Sequence, residues 1–132
     1  MAHLKQNFFG KRVFNPIAKR FGIGGSTELV VRRRKTGEEQ SIPVIPVELA
    51  GSRYIVSTRG ESDWVRNARA AGSVELREGG KRKHFTATEV PEPERGPIIA
   101  AYREKAGKTV DTYWKKLPDD ADHPVFRIAP VA

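Results

Sequence analysis

The sequence of 132 residues contains no cysteine, which excludes disulfides, thiolate nucleophiles and cysteine-ligated metal sites. Its three histidines, His3, His84 and His123, lack the spacing of a zinc site, so no metal is expected. There is no apolar run of about 18 residues, the length that a membrane-spanning helix needs, and no secretory leader is recognisable at the N-terminus. We therefore expect a cytoplasmic protein.

The arrangements of residues that carry chemistry in common enzyme classes are also missing. The sequence contains no Ser/His/Asp constellation, no convincing pair of carboxylates, and neither a phosphate-binding nor a dinucleotide-binding glycine loop. A hydrolase is therefore not indicated. Difficult chemistry would have to come from a bound cofactor.

Positive charge is concentrated near the N-terminus. Residues 1–35 hold nine of the 24 Lys and Arg residues but one of the 16 acidic residues, so the whole net charge of +8 lies there. This asymmetry indicates an anionic partner such as phosphate groups, a polycarboxylate, nucleic acid or an anionic membrane. The alternative is a solubilising face.

Residues 1–25 are predicted to form a basic amphipathic helical segment, because Phe9, Val13, Ile17 and Phe21 recur every four residues between Lys and Arg. Such a helix can lie on an anionic bilayer, which would place the protein at the inner face of the membrane. The alternative is that the segment packs across the rest of the fold.

Residues 26–132 are predicted to form one mainly β domain with peripheral helices. Alternating apolar residues and turn signals predict five or six mostly antiparallel strands, closed into a small barrel. The predicted strands cover residues 29–34, a return to about 49, 53–58, 73–78, 81–90 and 125–128. Helices are predicted at 63–71, 91–105 and 109–116, and Pro43 and Pro46 are expected at a sheet edge or bulge.

The first candidate site is the basic hairpin at residues 32–37. In a strand, Arg32 and Arg34 would share one face, and Lys35 would stand at the turn. Guanidinium groups, with backbone N–H groups at Thr36 and Gly37, suit phosphate or carboxylate oxygens. An ordinary exposed strand carries similar residues, so this pattern alone leaves both readings open.

The second candidate site is the end of the next strand, at Val56–Thr58, and the helix that follows it. Backbone groups there could form a floor for a planar ring. An ordinary capped loop is the alternative, with Ser62 or Asp63 as the N-cap. Trp64 shares a helical face with alanines and is expected in the core, whereas Asn67 lies off that face and could reach the hairpin or a ligand.

Aromatic residues near the C-terminus form a third candidate. Tyr113 and Trp114, with Tyr102, could line a pocket for an electron acceptor, or they could pack in the core. They are not interleaved with the arginine run, as a nucleic-acid stacking platform would require, so nucleic acid is not expected as a partner.

Three segments in order resemble the deazaflavin-dependent nitroreductase and quinone reductase family, whose members use coenzyme F-420. They are RRKTG at 33–37, YIVSTRG at 54–60 and WVRNARAAG at 64–72. The family's hallmarks are a glycine-led R-K-S/T-G hairpin and a downstream segment of the W-x-x-N type. Arg33 stands here in place of the hallmark glycine, and Gln40 where many relatives have a second arginine.

The resemblance implies a split β-barrel related to flavin-mononucleotide-binding oxidoreductases. It also implies three groups of cofactor-binding residues. The phosphate and oligoglutamate tail would be held by Arg34, Lys35, Thr36 and Gly37. The deazaflavin ring and its linker would lie against Val56, Ser57, Thr58 and Arg59. The site would be closed by Asp63, Trp64, Val65, Arg66 and Asn67.

The implied reaction is hydride transfer from the reduced deazaflavin to a small-molecule acceptor, either a quinone, a nitroaromatic compound or an activated enone. Solvent or Tyr113 would supply the proton. Two other functions stay open at this stage: a non-catalytic binder of nucleic acid or an anionic surface, and a split-barrel protein that binds flavin mononucleotide (FMN).

Overall fold

The computed structural model describes residues 27–131; the helical segment predicted at 1–25, with its membrane contact, lies outside them. The strands are β1 Thr27–Arg32, β2 Glu39–Val44, β3 Val47–Leu49, β4 Ser52–Val56, β5 Ser73–Glu78, β6 Lys81–Glu89 and β7 Val125–Pro130. The α-helices are α1 Asp63–Ala71, α2 Arg95–Ala106 and α3 Asp111–Lys116. Short 3-10 turns cover Glu92–Glu94, Gly107–Val110 and Asp120–Asp122. No helix in this part of the chain is long and apolar enough to cross a membrane.

The seven strands form one sheet in the order β2-β1-β5-β6-β7-β4-β3, and each neighbouring pair is antiparallel. The prediction of a mainly β fold with peripheral helices is confirmed. There is one strand more than expected, because the return strand is interrupted at residues 45–46. Pro46 has no N–H to donate to a ladder. Pro43 lies in β2 and Pro46 just before β3, and these are the two outermost strands, as predicted.

The core consists of two apolar clusters. The first lies inside the curl of the sheet, where Trp64, Val65 and Ala68 of α1 pack against strand residues. The rings of Trp64 and Phe126 lie 5.8 Å apart, so Trp64 is a core residue, as expected from its helical face. The second cluster joins α2 and α3 to β3 and β4, and it contains Tyr102 and Trp114. These two aromatic residues are therefore core residues rather than exposed pocket walls.

Helix α1 occupies the predicted range. Asp63 is in its first turn, where a carboxylate complements the helix dipole. Gly72 ends it in the left-handed region, at φ 69°, and its N–H donates to the carbonyl of Ala68. The start of α2 was predicted too early: Glu92–Glu94 precede it as a short 3-10 turn, and the helix begins at Arg95.

Two strands end two residues earlier than predicted. β1 stops at Arg32, so Arg34 lies in the turn and does not share a strand face with Arg32. The turn closes early because Gly37 donates its N–H to Arg33 O and Arg33 N–H donates to Glu38 O, both at 2.8 Å. Similarly, β4 ends at Val56 rather than at residue 58, and the chain turns at Thr58 and Arg59.

Candidate functional site

A buried amide joins the basic hairpin to helix α1. Oδ1 of Asn67 accepts hydrogen bonds from the backbone N–H of Arg34 at 3.0 Å and from its guanidinium Nη1 at 2.8 Å. Nδ2 of Asn67 donates to Oε1 of Gln40 on β2 at 2.9 Å. Asn67 is 2% exposed and Gln40 is 6% exposed. Asn67 therefore reaches the hairpin, one of the two partners expected from its position off the apolar face.

The hairpin tip presents three exposed cations. Arg33, Arg34 and Lys35 are exposed, and within residues 27–131 no carboxylate lies at ion-pair distance from them. Arg32, in contrast, forms an ion pair with Glu39, with Nη2 of the arginine 3.8 Å from Oε2 of the glutamate. Because Asn67 is neutral, it holds Arg34 without cancelling its charge. An anion at this tip would meet uncompensated positive charge.

The hairpin's turn residues are engaged locally. Gly37 N–H bonds to Arg33 O, and Thr36 Oγ1 accepts from the N–H of Glu38 at 3.2 Å. The Gly37 N–H expected to point at an anion is thus used inside the turn, since a residue at φ 79° closes the loop back on Arg33. An anion at the tip would therefore be contacted mainly by the arginine and lysine side chains.

Ser57, at the end of β4, is used to shape the following loop. Its N–H donates to Pro124 O at 2.9 Å, and its hydroxyl donates to Gly60 O at 2.7 Å. The residue is buried. The hydroxyl group is thus already bonded within the protein, so a ring lying on this strand end would be contacted chiefly by Thr58 and Arg59, which are partly exposed.

Ser62 occupies the N-cap position of α1 with extended backbone, but its side chain makes no capping bond. Its hydroxyl is buried and has no hydrogen-bond partner among residues 27–131. Such a group normally finds a partner, in protein, water or ligand.

Arg59 and Tyr113 bring the strand end and the C-terminal helices together. Arg59 Nη1 donates to the Tyr113 hydroxyl at 3.4 Å, and its guanidinium carbon lies 5.5 Å from the ring centre. Burial raises the pKa of Tyr113, and the Arg59 charge and hydrogen bond oppose that rise only in part. Burial likewise lowers the pKa of Arg59. Tyr113 is therefore a protonated phenol at neutral pH, able to donate.

His123 is a residue that sequence reasoning dismissed. Its ring is fully buried, with Nδ1 2.9 Å from Ser57 O and Nε2 2.7 Å from Leu117 O. It stacks on Trp114 with ring centres 4.0 Å apart. His123 thus ties the end of β4 to the end of α3, which carries Tyr113. No local pattern signals this, because Ser57 lies 66 positions away in the chain.

The remaining predicted site residues fall into two groups. Val56, Trp64 and Val65 are buried, so they offer almost no surface to a ligand. Asp63 and Arg66 are exposed on α1. The structure therefore gathers the predicted residues at two places: the hairpin tip against Asn67, and the Arg59 loop against Tyr113.

Comparison with known proteins identifies related sequences and folds. Residues 6–118 match the model of a family described as F420H(2)-dependent quinone reductase. A search of curated proteins finds no match for the chain.

Among solved structures, an F420-H2-dependent reductase named FDR-A is 24% identical, with a TM-score of 0.61; the match covers 80% of this chain and 95% of that one. The heme storage protein HutZ from Vibrio cholerae is 17% identical with a TM-score of 0.56, and the match covers 90% and 91%. A structure named F420 reductase is 14% identical with a TM-score of 0.50, covering 81% and 86%. These likenesses concern the fold, and they confirm the expected split-barrel type of curled antiparallel sheet.

Proposed function

Since the chain belongs to the F420H(2)-dependent quinone reductase family, we propose that it transfers hydride from reduced coenzyme F-420 to a quinone, a nitroaromatic compound or an activated enone. Membership makes it an oxidoreductase with coenzyme F-420 as cofactor. The acceptor and the residues that contact each part of the coenzyme are the proposal.

The observation that carries the proposal is that Arg34 and Lys35 are exposed at the hairpin tip and have no carboxylate at ion-pair distance among residues 27–131. The coenzyme's tail is polyanionic, and charge-assisted bonds from guanidinium and ammonium groups recognise phosphate and carboxylate oxygens. Arg34 uses one guanidinium nitrogen on Asn67, which leaves further donors for a ligand. Arg34 and Lys35 would hold the tail.

The ring end of the coenzyme is proposed to lie between the Arg59 loop and the start of α1. Thr58 and Arg59 are partly exposed there, at the position where the strand end meets the start of the helix. A deazaflavin ring has carbonyl and N–H groups along one edge. When bound, it supplies the hydride; the protein orients it and excludes water.

The acceptor is proposed to bind near Tyr113. The Tyr113 phenol and the Arg59 guanidinium lie together, so they can stabilise negative charge that develops on an acceptor oxygen. Tyr113 keeps its proton because burial raises its pKa, and it could hand that proton to the reduced acceptor. Solvent is the alternative proton source.

A titration of the purified protein with oxidised coenzyme F-420, followed by its fluorescence, tests the proposal, together with oxidation of the reduced coenzyme by a water-soluble quinone. We expect saturable binding and turnover, with no comparable affinity for FMN. Tight FMN binding without affinity for the deazaflavin would overturn the proposal. An oligonucleotide should not displace the coenzyme more than salt of the same ionic strength does.

We also propose that the basic N-terminal segment brings the enzyme to lipid-soluble acceptors at an anionic membrane surface. The support is its pattern of Lys and Arg between regularly spaced apolar residues. Co-sedimentation with anionic vesicles decides the question. Equal pelleting of the full-length protein and a folded variant that starts at Gly25 would contradict the proposal.

A further inference from the structure

Three elements meet at the side chain of Asn67. The residue itself belongs to α1, Arg34 to the hairpin turn and Gln40 to β2. Asn67 and Gln40 are buried, so neither amide can exchange its partner for water at no cost. The contacts run in sequence from Gln40 through Asn67 to Arg34.

The direction of each hydrogen bond follows from the donors. The backbone N–H and the guanidinium of Arg34 both donate, so the Asn67 atom that faces them must be its oxygen. The Asn67 nitrogen therefore points the other way, at Gln40. Only an acceptor satisfies that nitrogen, and Gln40 Oε1 provides it at 2.9 Å. If the Asn67 amide rotated by half a turn, its NH2 group would face two donors.

We infer that Gln40 is a positioning residue for the anion-binding hairpin: it fixes the orientation of the Asn67 amide, which in turn holds Arg34 ready for the coenzyme's tail. This inference rests on the proposed function. Gln40 itself is a buried residue of β2, one of the two strands of the hairpin, and it acts through Asn67 rather than on the ligand. A preorganised guanidinium loses less conformational freedom on binding than a mobile one. The contacts of Gln40 and Asn67 therefore raise the affinity of Arg34 for the coenzyme's tail.

The test replaces Gln40 by methionine, which keeps the length of the side chain but removes the amide oxygen. We expect the affinity for intact coenzyme F-420 to fall about tenfold. The affinity for the deazaflavin riboside that lacks phosphate and glutamates should change less than about twofold, since that molecule does not reach Arg34. Ser41→Ala, on the exposed face of the same strand, is the matched control and should leave both affinities unchanged.

A double-mutant cycle separates positioning from general loss of structure. In a background of Arg34→Ala, the Gln40→Met substitution should cause no further loss of affinity for the intact coenzyme. Amide hydrogen exchange supplies a second readout. The N–H of Arg34 should exchange faster in Gln40→Met, while the amides of the β1–β5 ladder should be unchanged. If Gln40→Met does not fold, Gln40→Asn, which withdraws the acceptor by one methylene group, is measured with the same expectations.

The outcomes are distinguishable. Failure of the wild-type protein to bind the coenzyme would overturn the proposed function and this inference with it. Binding by the wild type together with unchanged affinity in Gln40→Met would overturn this inference alone. An equal loss for the intact and the tail-less molecule would also overturn it, because Gln40 would then serve the fold rather than Arg34.

Discussion

Asn67 accepts two hydrogen bonds from Arg34, one from the backbone and one from the guanidinium, although the two residues lie 33 positions apart. The pair fixes the tip of the β1–β2 hairpin on helix α1. A neutral partner can hold Arg34 without cancelling its positive charge, which the proposed function needs. A carboxylate at the same place would cancel that charge.

Replacing Arg34 and Lys35 together by alanine tests the proposed tail site. We expect coenzyme binding to weaken by about 2–4 kcal/mol, given about 1.5–3 kcal/mol for each charge-assisted bond and incomplete additivity. The loss should shrink at high salt, where the wild-type contacts are screened. It should vanish for the tail-less riboside. Unchanged affinity for the intact coenzyme would mean that the hairpin tip is merely a solvated surface.

Asn67→Asp tests the value of a neutral anchor. The aspartate keeps the size and an oxygen toward Arg34. It also replaces the NH2 group that donates to Gln40, and its charge would compensate the guanidinium. We expect binding of the intact coenzyme to weaken by about 1.5–3 kcal/mol, the range of one charge-assisted bond. The affinity of the variant for the coenzyme should also depend less steeply on salt concentration than that of the wild type. Ala70→Asp adds the same charge at an exposed position of α1 and is the control; if it has the same effect, the charge acts through the general field.

Tyr113→Phe removes the phenol and keeps the ring. If Tyr113 donates a proton to the acceptor, turnover should fall about 100-fold or more while coenzyme affinity stays the same. A parallel loss of affinity and thermal stability would instead mark a packing role. Trp114→Ala, in contrast, should cost roughly 3–5 kcal/mol of stability, because it empties a buried site.

The raised pKa of Tyr113 also predicts how the stability of the fold changes at high pH. Burial raises its pKa above the ordinary value of 10.0. A group whose pKa is raised in the folded state stabilises the fold below its unfolded pKa, and this contribution is lost as pH rises through the folded value. The phenolate absorbance that is lost in Tyr113→Phe should therefore appear at higher pH in the folded protein than in the unfolded protein.

Acid stability should depend on Glu89. Its pKa is lowered chiefly by the hydrogen bond from Arg69, and the charges of Arg69 and Arg95 add to this against desolvation. A lowered pKa contributes stability above the unfolded value of about 4.5, and that contribution is lost as pH falls through the folded value. Because the Arg69 side chain is partly exposed to solvent, we expect the ionised Glu89 to contribute roughly 1 kcal/mol to the free energy of unfolding.

Urea unfolding of Glu89→Gln at pH 7 and pH 3 measures this contribution. The variant should be less stable than wild type at pH 7, and the difference should narrow at pH 3. Glu104→Gln, an exposed change on α2, is the control and should behave as wild type at both pH values. A constant difference across pH would show that the loss at Glu89 is one of packing rather than of charge.

Several features could be predicted from the sequence because their signals are local. The range of α1 followed from the spacing of its apolar residues and from Gly72, whose left-handed backbone ends the helix. The outer positions of β2 and β3 followed from Pro43 and Pro46, because proline has no N–H to donate and is therefore found at the edges of sheets. The order of strands and turns was readable for the same reason: each turn is specified by a few adjacent residues.

The tertiary structure alone decided which side chains meet. Whether Arg34 lies in a strand depends on where the turn closes, and its partner Asn67 comes from a helix 33 positions later. The Ser57 hydroxyl, which the sequence would leave available to a ligand, is taken by Gly60. His123 is dismissed as an isolated histidine until folding places it between the carbonyls of Ser57 and Leu117 and against Trp114. Hydrophobic periodicity fixes which face of an element is buried, but contacts between distant polar groups depend on strand register and helix placement, which no short stretch of sequence encodes.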